Sequence, residues 1–150
     1  MNTATFYIVQ VDSPQCSNEG FESYILFLLK HFHNQGVKLY INAENKEKSL
    51  YWDERLWQQE PDCFLPHNLI GEGPKNGTSI EIGYSQLRPS WNRQLVINLA
   101  KDNTNFAGTF AQVIDFVPYD EKAKQTARER YKIYRQAGYQ MQIIDIDHQH

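Results

Sequence analysis

Residues 21–41, FESYILFLLKHFHNQGVKLYI, carry two structural periods in succession. Phe21, Tyr24, Ile25, Leu28, Leu29 and Phe32 recur at i, i+3, i+4, i+7, i+8 and i+11, which is one face of a helix. Gly36 follows where a left-handed residue can close that helix. VKLYI, residues 37–41, then reads as a strand with almost no loop before it. Upstream, TFYIVQV at 5–11 is rich in β-branched and aromatic residues and stops at Asp12-Ser13-Pro14, so it reads as a first strand. Strand, helix and strand in this order predict a βαβ unit with parallel strands and a right-handed crossover.

The alternation continues downstream. Residues 44–57, ENKEKSLYWDERLW, place Leu50, Trp52, Leu56 and Trp57 in a charged background and predict a short amphipathic helix ended by Pro61. Residues 63–66 (CFLP), 79–84 (SIEIGY), 95–99 (LVINL) and 112–117 (QVIDFV) are further strand candidates, and 71–77, GEGPKNG, is a turn-rich loop. A chain of 150 residues without a linker or repeat fits one domain, residues 1–150. The expected architecture is α/β, layered around a mostly parallel central sheet flanked by helices.

Cys16 and Cys63 lack CxxC spacing and predict neither a disulfide framework nor a zinc site, so a reduced, cytoplasmic setting is expected. No apolar run approaches the roughly 18 residues needed to cross a bilayer, and MNTATFYIVQVD has no basic region before its apolar stretch. Membrane insertion and export are therefore not expected.

The formal charge of −3 conceals an asymmetry. Lys122, Lys124, Arg128, Arg130, Lys132 and Arg135 stand against a single acid, Glu129, giving +5 between residues 122 and 135 and −8 over the rest. Acid elsewhere argues against a broad nucleic-acid surface and favours a small acidic ligand. Pro118 ends the preceding strand, Asp120 can cap a helix with Glu121 in its first turn, and Gly138 can close it. On that helix Lys124, Arg128, Tyr131, Lys132 and Arg135 share an arc of about 100°, with Ala123, Ala127, Tyr134 and Ala137 on an adjoining one. Glu129 falls away from the basic arc, so little neutralisation along that face is expected. A solvated helix surface is the ordinary reading of such charges, but arginine forks beside an aromatic ring also suit a peptide bearing carboxylates and a bulky apolar end.

ATFYIV at 4–9, PHNLIGEGP at 66–74 and DFVPYDEKAKQTARERYKIYRQAG at 115–138 together resemble the chi subunit of the bacterial DNA polymerase III holoenzyme. The resemblance runs over nearly the whole chain, and its motifs are long and in the family's order. It implies a Rossmann-like domain lacking a phosphate-binding loop, without catalytic residues, metal or cofactor, acting as an accessory protein of the clamp-loader complex in DNA replication. Such a protein binds the small psi subunit on one side and, on the other, the acidic C-terminal tail of single-stranded-DNA-binding protein, so that contact with DNA is mainly indirect. Carried onto this sequence, the tail site would comprise Lys124, Arg128, Lys132 and Arg135 for carboxylates, with Tyr131 and Val117 lining an apolar pocket. The psi-facing surface would include Trp57 and Phe64, whose ordinary alternative is a place in the core. Residues 13–20 and the segment QMQIIDIDHQH after Tyr139 depart from the family, and no functional residue is expected in either.

Rival readings have weaker signals. Gly71, Gly73 and Gly77 follow neither the phosphate-loop nor the dinucleotide pattern, and Lys75 is followed by Asn76 rather than Ser or Thr. His31 and His33 diverge on a helix, His148 and His150 lie in the unmatched tail, and Cys63 has no local base, so metal and hydrolase chemistry are not indicated. Direct binding of single-stranded DNA is the stronger rival, because cations beside a tyrosine also suit phosphates and stacked bases.

Overall fold

Leu39 and Ile41 face one side of their strand and Tyr40 the other, and all three are buried. That is the mark of a strand covered on both faces, and the strands Ile80–Tyr84, Leu95–Asn98 and most of Gln112–Val117 share it, while the edge strand Gln140–Asp145 is largely exposed. The computed structural model describes residues 2–9, 18–59, 65–70, 78–84, 94–100, 110–118 and 120–145. Its elements are β1 (Thr3–Ile8), α1 (Asn18–Asn34), β2 (Leu39–Ala43), α2 (Lys46–Trp57), β3 (His67–Leu69), β4 (Ile80–Tyr84), β5 (Leu95–Asn98), β6 (Gln112–Val117), α3 (Glu121–Gln136) and β7 (Gln140–Asp145).

The seven strands form one sheet in the order β3-β4-β2-β5-β6-β1-β7, and every neighbouring pair is parallel. The expected layered α/β fold is therefore present, with a wholly parallel sheet among the described residues. The opening βαβ reading holds in that β1 and β2 are parallel strands of one sheet, and β5 and β6 lie between them. Periodicity reports which face of a strand is apolar, and it carries no information about which strand lies alongside.

Helices cover both faces. Tyr24, Ile25, Leu28 and Leu29 of α1 and Trp52 and Leu56 of α2 pack on Leu39, Ile41, Ile80, Ile82, Leu95, Ile97, Ile114 and Phe116. On the opposite face Ala127 and Tyr134 of α3 join Ala4, Phe6, Tyr40, Val96, Phe110 and Val113. Among the described residues no helix is long and apolar enough to cross a membrane.

Glycine closes two of the helices in the same way. Gly36 has φ 77°, its N–H donates to the His33 carbonyl, and Val37 N–H reaches back to the Phe32 carbonyl. Gly138 has φ 97°, with Gly138 N–H donating to Arg135 and Tyr139 N–H to Tyr134. Both are Schellman closures, in which a left-handed residue satisfies carbonyls the helix leaves unpaired. Val37 is consumed by this turn, so β2 begins at Leu39 rather than at Val37 as expected. Likewise α2 starts after Asn45, whose side chain accepts from Lys48 N–H at 2.9 Å, and not at Glu44. Of the strand expected over 63–66, Leu65 and Pro66 are outside any strand and Cys63 and Phe64 lie outside the described residues, while β3 occupies His67–Leu69.

Candidate functional site: a cationic groove over α3, β6, β1 and β7

β6 delivers the chain to α3 through Val117 and Pro118, and Asp120 caps the helix by accepting from Ala123 N–H at 3.0 Å. The rotation of α3 about its axis is then fixed from beneath. Arg130, counted in the basic run but not on the exposed arc, is buried: its Nε donates to Asp115 Oδ2 at 2.8 Å and its Nη2 to Asp115 Oδ1 at 3.0 Å and to the Phe116 carbonyl at 3.2 Å. Tyr134 Oη donates to the same carboxylate at 2.8 Å, and Asn98 Nδ2 reaches it at 3.1 Å. Asn42 in turn donates to Asn98 at 2.9 Å, so a polar ladder crosses β2, β5 and β6 and ends on the helix. Fork-to-carboxylate geometry with the remaining lone pairs occupied is what offsets the desolvation of a buried pair.

With Ala127, Arg130 and Tyr134 turned to the sheet, the flanking arc overlooks the ends of β6, β1 and β7. Val117, Lys124, Arg128, Tyr131, Lys132 and Arg135 all line one groove of about 370 Å³. Phe6 and Ile8 of β1, Ala127 of α3 and Ile143 of β7 complete its walls. The Tyr131 ring lies 5.6 Å from that of Phe6, centroid to centroid, anchoring the aromatic wall to the core. An apolar floor is thus edged by four cationic side chains along one helix.

One expectation about α3 is corrected, and its cations do have acid neighbours at i, i+3: Lys124 Nζ lies 3.5 Å from Glu121 and Lys132 Nζ 3.9 Å from Glu129. Both contacts are i, i+3 pairs near the surface, and such pairs contribute only about 0–1 kcal/mol. Arg128 donates to Gln125 Oε1 at 3.3 Å, and among the described residues neither Arg128 nor Arg135 is in an ion pair. Ala137, expected on the packing face, is the exposed C-cap residue, while Ile133 packs against the core.

The groove also draws on a segment where nothing functional was expected. Residues 140–145 form β7, which pairs with β1 at the sheet edge and contributes Ile143. Phe6 and Ile8 belong to the ATFYIV stretch, but no local pattern marks them as site residues.

Trp57 lies elsewhere. It ends α2, on the face of the sheet opposite α3, and is 61% exposed with its ring edge-on to His67 at 5.1 Å. Trp52 takes the core position that a buried reading of Trp57 would have required. Phe64 is outside the described residues.

A second concavity of about 300 Å³ sits near the C-terminal ends of β2 and β5, where open parallel sheets commonly bind nucleotides. Glu22 and Glu44 line it against a single Lys48, a balance that repels phosphate. Among the described residues no group of three or more His, Cys, Asp or Glu could hold a metal ion.

These features define a Rossmann-like α/β domain that carries an open apolar groove beside a row of cations. The family described as DNA polymerase III chi subunit, HolC, matches residues 1–142, and the chain belongs to this family. It is 38% identical over 141 residues to the DNA polymerase III subunit chi of Escherichia coli (strain K12), covering 94% of this chain and 96% of that protein. It is also 40% identical over 144 residues to the subunit chi of Haemophilus influenzae, covering 96% and 97%. The subunit chi of Pseudomonas aeruginosa is 29% identical over 108 residues, covering 72% and 74%.

Proposed function

We propose that the protein is a cytoplasmic, non-catalytic accessory subunit of the DNA polymerase III clamp-loader complex, joining the psi subunit to the acidic C-terminal tail of single-stranded-DNA-binding protein during replication. The observation that carries this reading is the groove, in which Lys124, Arg128, Lys132 and Arg135 stand beside a floor containing Val117 and Tyr131. Carboxylates pair with the guanidinium and ammonium groups while a terminal aromatic side chain leaves water against the floor. Trp57, solvent-exposed on the other face, is suited to anchor the psi subunit, and the two partners then bind without competing for surface.

Calorimetric titration with an acidic peptide ending in an aliphatic residue, proline and phenylalanine tests the tail site against oligothymidine and a nucleotide. The peptide binds at low salt, and its affinity falls as salt is added because exposed charges are screened. Arg128→Ala weakens it about tenfold, the equivalent of one charge-assisted contact, with an unchanged melting temperature. Binding of oligothymidine with none of the peptide would instead identify a direct single-stranded-DNA site.

A further inference from the structure

We infer that β7 gives the groove a second apolar subsite, built on Ile143 and Ile8, which takes the aliphatic side chain two residues before the terminal aromatic residue of an acidic peptide. The inference rests on the peptide reading above and adds a specificity element that the basic helix cannot supply.

The geometry starts from register. Phe6 of β1 is paired with Ile143 of β7, and Ile8 with Val117 of β6. Paired residues point to the same side of a sheet, and i and i+2 do so within a strand, so Phe6, Ile8, Val117 and Ile143 share the α3 side. Met141, two residues before Ile143, packs into the α3-side core and confirms that orientation. The floor therefore spans three adjacent strands, a width of about 10 Å at the usual strand spacing. One aromatic ring seated against Tyr131 and Val117 does not also cover Ile143.

Exposure points the same way. Ile143 is 60% exposed although it adjoins a preformed groove, so its apolar surface remains available for a ligand to bury. Asp145 follows on the same side of β7, paired with Ile8. The four cations stand on α3, so the acidic part of a peptide is drawn to that wall, leaving the β7 side to an uncharged side chain. Ile143 stands just past residues 1–142, the span matched by the family, so the family match does not assign it.

A double-mutant cycle tests this on the full chain by fluorescence anisotropy, pairing wild type and Ile143→Ala with the acidic peptide ending aliphatic-proline-phenylalanine and with its aliphatic→Ala counterpart. Wild type prefers the aliphatic peptide by about tenfold, the scale of an apolar side chain entering an apolar site. Ile143→Ala binds the two peptides within about twofold of each other, its melting temperature is unchanged, and Arg128→Ala weakens both peptides while keeping the preference. An undiminished preference in Ile143→Ala overturns the subsite and leaves the tail-binding reading intact. Failure of wild type to bind either peptide overturns both.

Discussion

Replacing Arg130 by methionine keeps the unbranched stem of the side chain as far as the position of Nε and removes the charged guanidinium. The guanidinium makes two bonds to Asp115 and one to the Phe116 carbonyl, at 2.8, 3.0 and 3.2 Å, and the two side chains are only 5% and 2% exposed. After the change, Tyr134 Oη, Asn98 Nδ2 and the Phe116 N–H still donate to the Asp115 carboxylate, but its cation is gone. Breaking one side of a buried pair costs about 3–5 kcal/mol, most of it from the charge left behind. At about 2–4 °C per kcal/mol for a domain of this size, the melting temperature falls by roughly 10 °C. Urea unfolding followed by circular dichroism measures the loss directly, with the slope against denaturant expected to stay constant. Asp115→Asn combined with Arg130→Met is less destabilised than the sum of the single changes, because neither variant group is then left charged and buried. A loss below about 1 kcal/mol for Arg130→Met, the range of a solvated surface pair, would refute the reasoning and assign the rotation of α3 to the packing of Ala127 and Tyr134 alone.

Gly83→Ala places a methyl group against the phenol of the buried Tyr40 and the Ile70 side chain, and is expected to cost about 1–3 kcal/mol by overpacking, read from the urea midpoint. Tyr24, whose phenol is pushed up to about 12 by burial and then by the adjacent Tyr7, stays neutral in the folded protein above the pH at which it ionises in the unfolded chain. Its contribution is complete below about pH 10 and is lost as pH rises toward 12, so urea midpoints fall across that window and fall less in Tyr24→Phe. Trp57→Ala, at an exposed position, leaves the melting temperature within about 2 °C and abolishes co-elution with the psi subunit.

The basic wall of the groove was legible because it belongs to one helix with clear caps. Once Asp120 and Gly138 bound that helix, the angular positions of Lys124, Arg128, Tyr131, Lys132 and Arg135 follow from the helical period alone. Arg130 was not distinguishable from Arg128 by charge or neighbourhood, since its partner Asp115 lies on β6 and no local pattern joins them. The floor was hidden for a related reason. Phe6 and Ile143 come together only through the placement of β1 between β6 and β7, a choice made by tertiary pairing. β7, QMQIID, carries no clear strand signal, because an edge strand that is exposed except at the partly buried Met141 need not alternate. The α1 side was the easier reading, since its apolar face meets a continuous wall of Leu39, Ile41, Leu95 and Ile97.

β1 lies between β6 and β7, so residue 8 meets residue 117 on one flank and residue 145 on the other. A ribosome emits β1 first and β7 far later, and non-local pairings of this kind form slowly. The nascent chain therefore carries the basic row of α3, with Phe6, Ile8 and Val117 already made, before Ile143 of β7 has joined the floor. In the proposed peptide site, the β7 side is completed only once residues 140–145 have been made and paired with β1, after the rest of the groove.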